Sequence, residues 1–316
     1  MSWGRTTIFA IVVCVTQFAA GCSTSSCNGV LGEEWPSEVV FAPLPREFPD
    51  ERKADAERFA AYMEDQIGVD AEVSIPRSYA DAVEALRSGE TDVAYFGPWP
   101  YRVASEQTEL EILLVVKRAG APHFRSKWFV RDDSDITSPA DLGGKDIGFY
   151  SLTSSGSYVF PLAEIVRLGG LETGEAPLNF FSKVSGTAGY RQTLVSLIEG
   201  EVDTAIAPAH APQRYLSDEQ RGKIRSIATL GPIPTHIVAV RPDLPEGLKK
   251  RLRTAFKNLA ASDEGHMLQR LYGAESFMAP DSEEAHLSAL DDALRTVGTD
   301  RDMEHFNARI EYVSPD

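Results

Sequence analysis

Between Asp50 and Ile67 apolar residues recur at helical spacing, with Phe59, Ala60, Met63 and Ile67 on one face and Gly68 directly after. That period predicts an amphipathic helix closed by a left-handed glycine cap. Shorter apolar runs, Val39 to Ala42, Glu72 to Ile75, Val93 to Phe96, Ile147 to Tyr150, Leu178 to Phe181, Val202 to Ala207 and Ile224 to Ala228, read as buried strands. Pro245 opens a further helix with Leu248, Leu252, Ala255, Phe256 and Leu259 inward, and the chain after Met267 reads as helical around a loop near Gly273 to Asp281. Strand and helix therefore alternate, the pattern of an α/β fold whose mostly parallel sheets are flanked by helices.

Two stretches repeat one another. Tyr79 to Ala94 and Tyr190 to Ala205 share Tyr, Leu, Gly-Glu, Asp and Ala in register. Each reads as a helix ending at a glycine, Gly89 or Gly200, followed by a strand after Asp92 or Asp203. A duplicated helix-to-strand unit implies two lobes. Two longer extended stretches, Lys127 to Arg131 and Ile237 to Arg241, are expected to form the crossovers. The expected division is residues 36–132 with 231–316 as lobe 1 and 133–230 as an inserted lobe 2.

Length and charge sharpen this. A chain of 316 residues suits about two domains of ~100 to 200 residues. Its formal charge of −16 disfavours nucleic acid and anionic membrane surfaces, so an anion bound here needs a local electropositive pocket. Arg5, the apolar run Ile8 to Ala20, and Ala19-Ala20-Gly21-Cys22 read as an export signal over residues 1–21, too short for the ~18 to 20 apolar residues of a comfortable membrane span. The site resembles a bacterial lipobox with Cys22 lipidated, although small residues also suit simple cleavage. Residues 22–35, rich in Ser and Gly from Ser23 to Gly32, read as a tether. No cysteine lies beyond Cys27, which excludes a disulfide framework or thiolate metal site from the folded part.

Three strand-to-helix junctions carry anion-binding chemistry, because helix N-termini present unpaired N–H groups and the positive end of the dipole. They are Ser151 to Tyr158, Ser185 to Arg191, and Gly97 to Tyr101. Small residues and hydroxyls there let the backbone approach an oxyanion and add donors without bulk. By the repeat, Tyr79 and Tyr190 occupy equivalent helix starts and both phenols point to one cleft. Each feature has a plainer counterpart: a Ser/Gly turn is also just a loop, and Tyr79, Trp99, Tyr101 and Tyr190 also suit packing. Arg191 fits a solvated helix surface as well as a bidentate oxyanion partner.

Taken in chain order, Asp92-Val93-Ala94-Tyr95-Phe96-Gly97-Pro98, Asp141-Leu142-Gly143-Gly144-Lys145, Tyr158-Val159-Phe160-Pro161, Gly200-Glu201-Val202-Asp203 and Pro232-Ile233-Pro234 resemble the phosphate, phosphite and phosphonate-binding proteins of ABC importers. The resemblance implies the two-lobed type II periplasmic-binding-protein fold, joined by two crossover strands. It also implies an extracytoplasmic location, a small oxyanion ligand, a membrane permease as partner, a monomer, and neither cofactor, metal nor enzymatic turnover. The family's head-group contacts carry over to Tyr79 and to Ser154, Ser155 and Gly156, with Ser157 offering the hydroxyl that Gly156 lacks. Tyr190 stands where the family has His, and Pro208 stands near the family's acidic partner, which removes the contact for an amine-bearing ligand such as aminoethylphosphonate. Tyr101 joins the set through lobe closure, His210 and His236 are candidates for replacement contacts, and Arg125 and Lys127 either add cationic character or form a solvated face. An alternative output for the same fold is sensing, with the loaded form presented to a membrane histidine kinase. Gly144-Lys145-Asp146 lacks the hydroxyl of a P-loop, and neither Gly-x-Ser-x-Gly nor His-Glu-x-x-His occurs.

Overall fold

The computed structural model describes Met1 and residues 34–44, 50–151 and 153–298. The export signal, Cys22 and most of the tether lie outside the described residues, as does the C-terminal segment 299–316. Among the described residues no helix is long and apolar enough to cross a membrane. The chain opens with β1 (Glu38–Ala42), α1 (Asp50–Ile67), β2 (Asp70–Val73), α2 (Tyr79–Ser88), β3 (Val93–Phe96), α3 (Pro98–Gln107) and β4 (Glu111–Val116). It continues through β5 (His123–Arg131), β6 (Asp146–Phe149), α4 (Phe160–Arg167), β7 (Lys183–Gly186), α5 (Tyr190–Glu199), β8 (Thr204–Pro208), the short helices α6 (Ala211–Tyr215) and α7 (Asp218–Arg221), and β9 (Ile224–Pro234). It returns as β10 (Ile237–Val240), α8 (Glu246–Ala260), α9 (His266–Tyr272), β11 (Phe277–Met278) and α10 (Glu283–Val297).

Two sheets form, ordered β11-β4-β10-β3-β1-β2 and β7-β6-β8-β5-β9. In each, three parallel strands (β2, β1, β3 or β7, β6, β8) meet one antiparallel strand, β10 or β5, which arrives from the other half of the chain. The fold is thus the expected two-sheet α/β architecture. The expected helices appear at α1 and α8, where Phe59, Met63, Ile67, Leu248, Leu252, Phe256 and Leu259 are fully buried. Burying each such side chain is worth about 1.5–3 kcal/mol.

The repeat is exact in its mechanics. Gly89 and Gly200 end α2 and α5 in left-handed geometry, at φ 82° and 80°. The next aspartate then laces its strand to the neighbouring parallel one: Val40 N–H donates to Asp92 Oδ2 at 2.8 Å, and Asp146 N–H to Asp203 Oδ2 at 3.0 Å. Each carboxylate also faces an arginine at the end of the antiparallel strand, Arg241 at 2.8 Å and Arg131 at 4.0 Å. The Gly-Glu-x-Asp motif is therefore a cap and a staple.

Three expectations need correction. Leu178 to Phe181 is not a strand; Pro177–Asn179 forms a 3₁₀ turn, which suits Pro at its start, and the strand follows at Lys183. The stretches Lys127 to Arg131 and Ile237 to Arg241 are not crossovers but core strands, in the second and first sheet respectively. The connections are shorter: residues 117–122 lead out and 235–236 lead back. They lie side by side, with Thr235 N–H donating to Pro122 O (3.1 Å), Thr235 Oγ1 to Val116 O (2.6 Å) and Val116 N–H to His236 O (2.9 Å). By sheet membership His123–Arg131 goes with the second half, not with residues 36–132. Finally α10, from the segment assigned to lobe 1, packs on α4 and β9 as well as α3. Arg102 of α3 holds Asp291 bidentately and Glu283 at 2.7 Å, while Arg167 of α4 pairs with Asp292 at 2.8 Å. This helix clasps both halves.

Candidate functional site

A cavity of about 760 Å³ opens between the two sheets, outside the carboxyl ends of their parallel strands. In α/β folds that is where helix starts converge. Gly97 and Pro98 begin α3; Ser154, Ser155 and Gly156 lead through a turn of π-helix (Ser155–Val159) into α4; Gly189 and Tyr190 begin α5. The first N–H groups of a helix have no intrahelical acceptor, so the Ser155–Val159 turn and α5 present donors to this space, whereas α3 opens on Pro98 and Pro100, which have no N–H, and its Trp99 N–H is taken by Ser155 Oγ. Ser154 caps its turn by accepting from Ser157 N–H at 3.1 Å.

The paired tyrosines behave as the repeat predicts. Tyr79, at the start of α2 behind the Ser78 cap, lines the cavity from the first half and stacks on Phe96 at 6.2 Å. Its phenol oxygen would stand 3.8 Å from a Cβ placed on Gly97. Tyr190 lines it from the second half, packs on Tyr150 at 5.0 Å and hydrogen-bonds Ser154. Burial raises the Tyr190 pKa to about 12, against the lowering effect of Ser154, so the phenol is a neutral donor at physiological pH. Across the cleft, Trp99 N–H donates to Ser155 Oγ at 3.2 Å and the Trp99 ring stacks on Tyr158 at 6.2 Å. The halves thus touch through the loop that carries the serines.

His210 and His236 also line the cavity. His236 sits on the return connection and stacks on Tyr95 at 5.3 Å. Partial desolvation, with Arg118 and Arg214, lowers the His210 pKa and keeps its ring neutral near pH 7.

Three of the expected residues are elsewhere. Tyr101 is fully buried, one helical turn past Pro98, and its O–H donates to Glu283 Oε2 at 2.9 Å; burial raises its pKa. Ser157 is 2% exposed and points into the core, where its Oγ has no partner among the described residues. Arg191, one position past Tyr190, turns about 100° away to solvent. Arg125 is exposed and Lys127 half-buried; neither lines the cavity.

The cations of the site are different ones: Arg118, Arg214 and Arg270. Arg118 closes a two-residue turn whose centre, Ala119 and Gly120, has φ of 47° and 87°, the geometry of a tight hairpin. The run Ile112 to Val116 followed by Gly120 is the signal that would have placed Arg118 at a strand end. Arg270 is held by buried Asp55, and Arg214 reaches Glu275 at 3.9 Å. Among the described residues, no Asp or Glu lines the cavity.

Comparison with known proteins places the chain in a family. A family model described as ABC transporter, phosphonate, periplasmic substrate-binding protein matches residues 41–285. The phosphate-import protein PhnD of Mycolicibacterium smegmatis is 25% identical over 259 residues, 79% of this chain and 80% of that protein. Among solved structures, XAC2383 from Xanthomonas citri bound to ATP superposes with a TM-score of 0.67 at 17% identity, over 87% of this chain and 100% of the other. PhnD1 from Prochlorococcus marinus in complex with methylphosphonate gives 0.63 at 16% identity, over 83% and 99%. The chain belongs to the family of periplasmic substrate-binding proteins of phosphonate ABC transporters, which implies a small-molecule ligand and a membrane permease as partner.

Proposed function

We propose that the cavity binds a small phosphorus oxyanion, a phosphate, phosphite or phosphonate, and delivers it to an ABC permease. The observation that carries this is electrostatic: on a chain of net charge −16, the cavity lining holds three arginines and no carboxylate among the described residues. Hydroxyls of Tyr79, Ser154, Ser155 and Tyr190 and the N–H groups at the starts of the Ser155–Val159 turn and of α5 supply neutral donors that replace a hydration shell, while the arginines set the field. Two solved relatives hold a ligand with tetrahedral phosphorus, ATP in one and methylphosphonate in the other, which supports the head group.

In this reading ligand capture draws the halves together about the paired connections at residues 117–122 and 235–236, and the permease recognises the closed form of a monomer. Cys22 carries the lipid that holds the mature chain at the membrane surface; mass spectrometry of the exported protein tests that by the mass of its N-terminal peptide. Calorimetric titration of the mature chain with phosphate, phosphite, methylphosphonate, aminoethylphosphonate and sulfate tests the ligand. A phosphorus oxyanion is expected to bind and aminoethylphosphonate to bind weakly, because no carboxylate lines the cavity among the described residues to meet its amine. Binding of none of these anions would refute the proposal.

A further inference from the structure

The cavity is far larger than a head group. A tetrahedral oxyanion displaces on the order of 100 Å³, judged from about 30 Å³ per water, against about 760 Å³ here. Beyond the serine loop lies Phe124. A Cβ on Gly156 would stand 2.9 Å from Phe124 Cζ, and the Arg118 guanidinium carbon lies 5.9 Å from the centre of the same ring. Arg118 is therefore about one aromatic ring beyond the head-group loop. Unlike Arg270, it makes no ion pair among the described residues. A half-buried guanidinium in a cleft lined by no carboxylate among the described residues, and backed by a ring face, is a cation awaiting a counter-ion.

We infer that Arg118, flanked by Arg214, forms a second anion subsite, so that the preferred ligand is a phosphonate or phosphate whose substituent ends in a second negative group, a carboxylate or another phosphoryl. The lowered pKa of His210 supports the convergence, since Arg118 and Arg214 both act on it. The inference rests on the head-group reading above. It also explains Pro208 at the cavity wall, because a substituent running toward two arginines needs no acidic partner.

Calorimetry with matched phosphonates tests it: ethylphosphonate, aminoethylphosphonate, phosphonopropionate and phosphonoacetate, with pyrophosphate as the phosphoryl-ended probe. Phosphonopropionate or phosphonoacetate, or pyrophosphate if the second group is a phosphoryl, is expected to bind about tenfold or more tighter than ethylphosphonate. Arg118→Gln is expected to weaken all anions through the shared field but to collapse that preference to within about twofold, and Arg118→Lys to retain part of it. Circular dichroism and thermal denaturation check that each variant is folded. Equal affinity for ethylphosphonate and every doubly anionic probe, or an undiminished preference in Arg118→Gln, overturns the second subsite while leaving the head-group reading intact. Failure of every phosphorus anion to bind overturns the head-group reading, and this inference with it.

Discussion

Acidification is expected to destabilise the fold through one side chain, His286. It lies on α10, 2% exposed, with Nε2–H donating to the Thr235 carbonyl at 3.1 Å and Nδ1 without a partner among the described residues. The ring of His123 stands 5.2 Å away. Burial, helped by His123 and opposed by the bond to Thr235, lowers the His286 pKa from 6.5 to about 4. Between those two values the unfolded chain takes up a proton that the folded chain refuses, so stability is full above pH 6.5 and falls as pH drops. At about 1.4 kcal/mol per pH unit the loss amounts to about 3 kcal/mol by pH 4, below which it levels off because the folded imidazole also protonates. Urea denaturation followed by circular dichroism, across about pH 7 to 4, measures it. Other ionisable groups contribute to both curves, so the comparison is with His286→Gln, which retains a donor for Thr235 but does not titrate. The difference between the two curves isolates the imidazole. Parallel curves, or an NMR titration of His286 with a midpoint above about 6, would refute the reasoning.

Four substitutions follow from the site. Ser155→Ala removes a cavity hydroxyl and leaves the buried Trp99 N–H without its acceptor; ligand affinity is expected to fall about tenfold, and stability by about 1–3 kcal/mol in thermal denaturation. Gly156→Ser, which adds a third hydroxyl to the Ser154-Ser155 run, puts a Cβ 2.9 Å from Phe124 Cζ and is expected to cost about 1–3 kcal/mol of stability as well as affinity, with Phe124→Leu as a rescuing second change. Tyr101→Phe breaks the bond to Glu283 and is expected to lower stability by about 1 kcal/mol without altering calorimetric affinity, since Tyr101 lies in the core. Asp203→Ala removes the lace to Asp146 N–H and is expected to cost about 1–2 kcal/mol, read as a shifted denaturation midpoint, with ligand affinity falling only where the second sheet is loosened.

What could be read from the chain, and what could not, divides along one physical line. The repeat, its glycine caps and the helix starts are local: each is set by a few adjacent residues, and Tyr79, Ser154, Ser155 and Tyr190 reached the cavity as read. Direction around a helix is where the reading slipped. Successive residues diverge by about 100°, so the neighbours of a lining residue face elsewhere, as Ser157 and Arg191 do, while Tyr101, a full turn past Pro98, lies too deep along α3 to reach the cavity. The exchange of β5 and β10 between sheets escaped the pattern for another reason: an apolar run reads the same whether it belongs to its own half or crosses to pair with the other. The cations are the furthest from local. Arg118 projects from a hairpin turn, Arg214 from a five-residue helix and Arg270 from α9. Their segments carry no anion-binding motif, and long side chains reach the cleft only because the fold brings the segments around it. The donors that grip a head group are thus written in short motifs, whereas the field that selects an anion, and its second charge, arises from tertiary placement.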